Sequence, residues 1–255
     1  MCWVSSATEV YVPDNYEKIQ WAVDAASPYD TIIVRDGTYT ENVAVTVNDL
    51  TIRSENGSAT CIVQAADPNG HVFSVTADYV NISGFTVQNA TGSGKAGIRL
   101  GNADHCTVSN ISASNNYYGI DLYESGSNTI MDNIANSNNW HGIRLRDSNY
   151  NNLTNNTANL NGIAGIALRA STCNTLINNS VSDNEIGFAV PPDHPINMSY
   201  FDNSVDASNL VNGKPFYYYF NQSDRLIEGL NAGHLSIPFC TNFTVRNVDV
   251  SGERD

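Results

Sequence analysis

Apolar residues along this chain alternate with polar ones at a spacing of two over short stretches, and the alternation restarts at regular intervals. Gly97-Ile98-Arg99-Leu100, Gly119-Ile120-Asp121-Leu122, Gly142-Ile143-Arg144-Leu145, Gly165-Ile166-Ala167-Leu168 and Gly187-Phe188-Ala189-Val190 open five successive units, 22, 23, 23 and 22 residues apart. A fixed period of this length marks a repeat architecture. Six positions after the second apolar residue stand Cys106, Asn128, Asn151, Asn174 and Ile196; eight after it stand Val108, Ile130, Leu153, Leu176 and Met198. Eleven after it stand Ile111, Asn133, Asn156, Asn179 and Phe201, and Ile237 restarts the pattern with Phe243, Val245 and Val248.

Each unit holds two or three apolar pairs at i, i+2, the strand period, and no 3.6-residue stripe long enough for a helix. Three short strands per turn predict a parallel β-helix whose coils stack about 4.8 Å apart. Equivalent positions then lie over one another. Asn128, Asn151 and Asn174, and likewise Asn133, Asn156 and Asn179, are expected to form inward side-chain amide ladders. Asparagine also tolerates left-handed backbone, so part of its excess would turn corners.

The first part of the chain reads differently, because a solenoid needs its open end closed. Asp14 followed three residues later by Glu17 looks like a capping box, and Ile19, Ala22, Val23 and Ala26 mark one face of a short helix ending near Ser27-Pro28. "TIIV" and "LTIRS" would be the first strands, with "DGTYTENV" a turn between coils. The expected organisation is a cap helix and first coils over 1–60, regular coils over 61–190, a coil with an irregular aromatic excursion over 191–233, and a further coil over 234–255, with the natural protein expected to continue past Asp255. The excursion contains "PPDHP" and "GKPFYYYFNQ", where Tyr217 and Tyr219 alternate with Phe216, Tyr218 and Phe220. It reads as a packing layer on the sheet's flank or as a binding loop.

These repeats, with the opening segment "YEKIQWAVDAASPYDTIIVRDGTYTENVAV" and the later "VNGKPFYYYFNQ", resemble the β-helix repeats of the carbohydrate-binding and sugar-hydrolase (CASH) group, in particular the NosD-like repeats of archaeal surface proteins. The resemblance implies an all-β, right-handed parallel β-helix with coils of about 22–23 residues and a short N-terminal capping helix, in an exported protein. It does not fix an activity, since such folds carry lyases, hydrolases, epimerases and non-catalytic modules. "GFTVQNAT" is similar to a stretch of pectin methylesterases, but their further catalytic Asp, Gln and Arg motifs find no place here, and the "DPH" motif of alginate epimerases is absent.

With 26 acidic against 12 basic residues the net charge is −14, which argues against nucleic acid or an anionic bilayer as partner. No apolar run is long enough to span a bilayer, and no basic-then-apolar leader opens "MCWVSSATEV", so an exported protein would have lost its signal here. Sequons at Asn56, Asn81, Asn89, Asn110, Asn152, Asn155, Asn178, Asn197, Asn221 and Asn242 are candidate glycosylation sites. Cys2, Cys61, Cys106, Cys173 and Cys240 are odd in number and lack CxxC spacing, which argues against a disulfide framework or a zinc site; Cys106 falls on an inward position. The five histidines and three methionines lie too far apart in the repeat to suggest copper. No cofactor is expected, and calcium could be recruited only through Asp121, Glu124 and Asp147.

Candidate chemistry lies on the strand that opens each unit, where a side chain between two inward apolar positions points outward. Arg99, Asp121 and Arg144 share one outward column and Tyr123, Arg146 and Arg169 the next; Tyr118 and His141 share the column before the glycine, and Tyr117 and Trp140 the one before that. Aromatic faces that stack on sugars, beside guanidinium forks that bind hydroxyls or uronate carboxylates, would make an oligosaccharide groove. A sharper version makes Asp121, His141 and Arg144 a proton-transfer group, with His141 near its ordinary pKa as the carrier. The plain alternative is a solvated sheet that alternates arginine and aspartate to avoid stacking like charges. No second carboxylate clearly faces Asp121 across a cleft, as a two-carboxylate glycosidase needs. The sequence therefore predicts a non-catalytic extracellular cell-surface module, carbohydrate-binding or structural, whose partners are a glycan or cell-surface polysaccharide and other surface-protein domains. A polysaccharide lyase or glycoside hydrolase on the same face, and a surface-layer or filament building block, are the alternatives.

Overall fold

The computed structural model describes residues 7–190 and 197–251. Among these, one α-helix, Ile19–Ala25, and one 3-10 helix, Met198–Phe201, interrupt a succession of short strands. Strands of successive coils pair in parallel and build a nine-stranded, a seven-stranded and a five-stranded sheet, the faces of a right-handed parallel β-helix. The seven-stranded sheet runs Val43–Val45, Phe73–Val75, Ala96–Gly101, Tyr118–Tyr123, His141–Arg146, Ala164–Arg169 and Ile186–Ala189. Its register joins Ile98, Ile120, Ile143 and Ile166 in one inward column and Leu100, Leu122, Leu145 and Leu168 in another. All eight are buried. Each contributes about 1.5–3 kcal/mol by leaving water.

Asparagine makes the corners. Asn128, Asn151 and Asn174 are buried, as are Asn133, Asn156 and Asn179. Their amides bond the backbone more than one another. Asn151 Oδ1 accepts the backbone N–H of Asn128 at 2.9 Å, while its Nδ2 donates to the Ser125 carbonyl and to Asn174 Oδ1, both at 3.1 Å. Each amide thus satisfies backbone groups that a bend removes from the sheet. Sequence analysis missed two further ladders: Asn116, Asn138, Asn161 and Asn184, and the serines Ser125, Ser148 and Ser171. Both stand at constant offsets from the second apolar residue, so the same counting would have found them.

In the regular coils the residue before a ladder position has positive φ: Asp147 before Ser148, Tyr150 before Asn151, Asn155 before Asn156 and Leu160 before Asn161. One left-handed residue turns the chain, and the inward side chain that follows ties the turn to the coils on either side. The glycines opening the first four units answer to the same ladders: a Cβ on Gly142, for example, would lie 2.7 Å from both Asn161 Nδ2 and the Ala135 carbonyl.

Several expectations change. The N-terminal helix buries Ile19, Ala22 and Val23 in the core, but Asp14 and Glu17 do not cap it. Asp14 pairs with Arg35, and the N–H groups of Ile19 and Gln20 donate to the Glu41 carboxylate of the following segment, each at 3.0 Å. "DGTYTENV" is more than a turn, because it holds the strand Gly37–Thr40 and the start of Val43–Val45. After Val190 the register shifts: Leu176 pairs with Val205, and Asn203 and Asn209 extend the two ladders from Asn174 and Asn179. Met198 and Phe201 therefore sit in the 3-10 helix rather than at repeat positions; Ile196 and "PPDHP" lie outside the described residues. The aromatic strand Lys214–Tyr218 pairs antiparallel with Leu210–Val211 and buries Phe216 against Phe188, ring centroids 4.9 Å apart.

Candidate functional site

The outward columns of the seven-stranded sheet assemble as their spacing implies. Arg99, Asp121, Arg144, Ala167 and Ala189 follow one another on successive strands, and beside them run Tyr123, Arg146 and Arg169. Asp121 is 0% exposed although its side chain is on the outer surface, because the arginines fold over it. Arg144 Nε donates to its Oδ1 at 2.7 Å and Arg144 Nη2 to its Oδ2 at 3.2 Å, and Arg99 Nη1 also donates to Oδ2. Burial alone would weaken the charge on Arg144, but Asp121 beside it raises the guanidinium pKa. Arg144 Nη1 donates to the Tyr118 hydroxyl at 2.7 Å, and the guanidinium lies 4.0 Å from the Tyr118 ring centre.

Next to this cluster the aromatic side chains form two parallel stacks. Tyr117 stacks on Trp140 at 5.5 Å with planes 7° apart, and Tyr118 on His141 at 5.7 Å and 8°. Toward the C-terminal coils the same columns drop in size. His141 is followed by Ala164 and Ile186, and Arg144 by Ala167 and Ala189. Ile163 follows Trp140, whose carbonyl accepts its N–H. The drop leaves a depression of about 410 Å³ bounded by Trp140, His141 and Arg144 on one side, floored by Ile163, Ala167, Ile186 and Ala189, and reached by Arg169. Trp140 ends the aromatic stack, lines the depression and is 40% exposed.

The structure thus gathers Trp140, Arg144 and Arg169 of the expected binding residues, with Tyr117 and His141 beside them. Tyr118 also borders the depression but is only 6% exposed and covered by Arg144, so it cannot offer a stacking face. Tyr123 lies between Arg99 and Arg146, 4.8 and 5.3 Å from its ring centre, and its faces are likewise taken. Arg99, Asp121, Tyr123 and Arg146 lie outside the depression. Its apolar floor was missed by sequence analysis, where the signal was the fall from arginine to alanine along one column.

Two chemical expectations are overturned. Burial, with Arg144 adding to it, pushes His141 down to about 4, so it is neutral at pH 7 rather than poised near its ordinary value. Its Nδ1 is buried without a hydrogen-bond partner. Asp121 is committed to two arginines, which removes it from the calcium set with Glu124 and Asp147 and from contact with any ligand. Of the cysteines, Cys61, Cys106, Cys173 and Cys240 are free thiols, and Cys2 lies outside the described residues. All ten sequon asparagines, from Asn56 to Asn242, are exposed.

Comparison with solved structures shows the fold. An alginate lyase from Paenibacillus sp. str. FPU-7 matches with a TM-score of 0.67 and 15% identity, covering 97% of this chain and 99% of that one. A family 28 exopolygalacturonase from Yersinia enterocolitica matches at 0.65 and 14% identity, over 98% of this chain and 67% of that one. The A-module of the mannuronan C-5 epimerase AlgE4 from Azotobacter vinelandii matches at 0.62 and 17% identity, over 93% and 70%. No curated protein matches the sequence. Residues 23–229 match the family described as "Periplasmic copper-binding protein (NosD)". That description implies copper, and the residues here do not fit it: among the described residues no group of three or more His, Cys, Asp or Glu could hold a metal ion. His105 stacks on Tyr79, and the imidazole of His71 is occupied by the Ala96 N–H. With that match spanning most of its length, on a parallel β-helix, the chain belongs to the NosD family.

Proposed function

We propose that the protein is a non-catalytic glycan-binding module working outside the cytoplasm, with the Trp140 depression as its site. The observation that carries this reading is the exposed indole of Trp140 in the depression, held in place by Tyr117 stacked behind it and bordered by an apolar floor and by Arg144 and Arg169. A pyranose stacks its C–H face on an indole and leaves its hydroxyls to donors at the rim. Because the ring is already fixed by stacking, little side-chain freedom is lost on binding. Three of the similar folds are named for acting on alginate, polygalacturonate and mannuronan, and the family description is periplasmic, both of which agree with this reading. A proton-transfer role for Asp121 and His141 is not favoured, because the carboxylate is covered and the imidazole is a weak base.

The test is a glycan array followed by calorimetry. Wild-type protein is expected to bind an oligosaccharide with micromolar to millimolar affinity, Trp140→Ala to lose at least about tenfold, and Tyr123→Ala, outside the depression, to retain binding. Undiminished affinity in Trp140→Ala would sink the assignment, and release of unsaturated or reducing products would favour a lyase or hydrolase instead.

A further inference from the structure

The depression has a cationic end that stacking on Trp140 does not use. The chain carries a net charge of −14, yet five of its 12 basic residues, Lys95, Arg99, Arg144, Arg146 and Arg169, stand on or next to consecutive strands of the seven-stranded sheet. Asp121 lies between two of them, and Asp147 approaches Arg146 at 3.4 Å. Asp104, Glu124 and Glu185 are the other carboxylates of these strands and the turns that flank them. Charge is balanced over these strands as a whole, but the depression itself is lined by Arg144 and Arg169 and by no carboxylate.

Arg144 is oriented in advance. Its Nε, Nη1 and Nη2 each donate one hydrogen bond to Asp121 or Tyr118, which leaves one N–H on each terminal nitrogen for a ligand. Its neighbours on the next two strands are Ala167 and Ala189, so no bulky side chain separates it from Arg169 across the floor. Trp140 stands just before the strand His141–Arg146 that carries Arg144, four residues from it along the chain. The indole and the guanidinium accordingly meet different sugar units of one chain.

From this geometry we infer that the ligand is a uronate oligosaccharide, with one ring on Trp140 and the carboxylate of a nearby unit bound at Arg144 and Arg169 above Ala167. A planar carboxylate matches the two-pronged donor geometry of a guanidinium. The inference rests on the glycan-binding reading and adds charge and length to it.

Calorimetry with trigalacturonate and trimannuronate, each beside its carboxyl-reduced counterpart of identical linkage, tests it. For at least one pair, wild-type protein is expected to bind the acid form about tenfold more tightly than the reduced form. Arg169→Gln, at an exposed position, is expected to weaken the acid form far more than the reduced form, so that the tenfold difference collapses; Trp140→Ala is expected to weaken both. Equal binding of acid and reduced forms, or a preference that survives Arg169→Gln, would overturn the uronate assignment and leave the glycan site in place. A lack of binding by all four sugars, with a different neutral glycan bound in a Trp140-dependent way, would overturn it too. Failure of every glycan would remove both readings together.

Discussion

His141 and His71 flank the arginine cluster, and both are held neutral. Burial pushes each down to about 4, with Arg144 adding to the effect on His141 and Arg99 and Lys95 to that on His71. An unfolded histidine titrates near 6.5, so between about 6.5 and 4 the unfolded chain binds more protons than the folded one. Stability from these two groups is fully present above pH 6.5 and is lost as the pH falls toward 4, by at most about 3 kcal/mol per histidine. Urea midpoints of wild type and His141→Gln at pH 7 and pH 5 measure it. The wild type is expected to fall further than the variant, and parallel falls would show that His141 is not buried as described. The same residue shows what a pattern can and cannot tell. Its column was legible from spacing, but its pKa depended on Tyr118 beneath it and Arg144 beside it, which only packing supplies.

At the scale of the element, the corner is the unit that repeats. Each combines a left-handed residue with an inward Asn or Ser whose side chain bonds backbone groups above and below. Asn151→Ala would strip the acceptor from the buried Asn128 N–H and the donor from the Ser125 carbonyl. A loss of roughly 2–4 kcal/mol is expected, since each orphaned buried group costs about 1–3 kcal/mol. Asn152→Ala, at the next residue and exposed, is expected to stay within about 0.5 kcal/mol of wild type. Chemical denaturation of the pair separates ladder from surface asparagine, and equal losses would contradict the ladder. The Glu41 cap argues the complementary point. Local sequence offered Asp14 and Glu17, but the helix N-terminus lies against a carboxylate more than twenty residues away, which no local motif encodes.

For the whole molecule, charge is unevenly distributed: the solenoid is acidic, while the depression is lined by Arg144 and Arg169 and no carboxylate. Raising salt from about 0.01 M to about 0.15 M shortens the screening length from about 30 Å to about 8 Å. Self-repulsion at a net charge of −14 then weakens and the melting temperature is expected to rise, while affinity for a uronate ligand is expected to fall. Thermal melts and titrations across one salt series check both signs. A melting temperature that falls with salt would mean that attractive surface pairs such as Arg35 with Asp14 and Glu55 outweigh the repulsion.

The sequence by itself determined the coil, its period, the inward columns of isoleucine, leucine and asparagine, and the outward order of arginine, aspartate and aromatic residues. It could do so because in a parallel β-helix a fixed offset along the chain is also a fixed place in space, so counting is a form of geometry. Counting gave no information wherever the offset changed. The residues added after Val190 moved the next rung from Met198 to Val205, and the helix cap came from outside the repeat. Nor could it show which outward side chains remain accessible. Asp121, Tyr118 and Tyr123 occupy outward positions yet are covered by the arginines of adjacent coils, while Trp140 stays 40% exposed where the columns beyond it shrink to isoleucine and alanine. Long side chains reach across rungs to satisfy charge and stacking, and that reach depends on neighbours above and below rather than on position in the repeat.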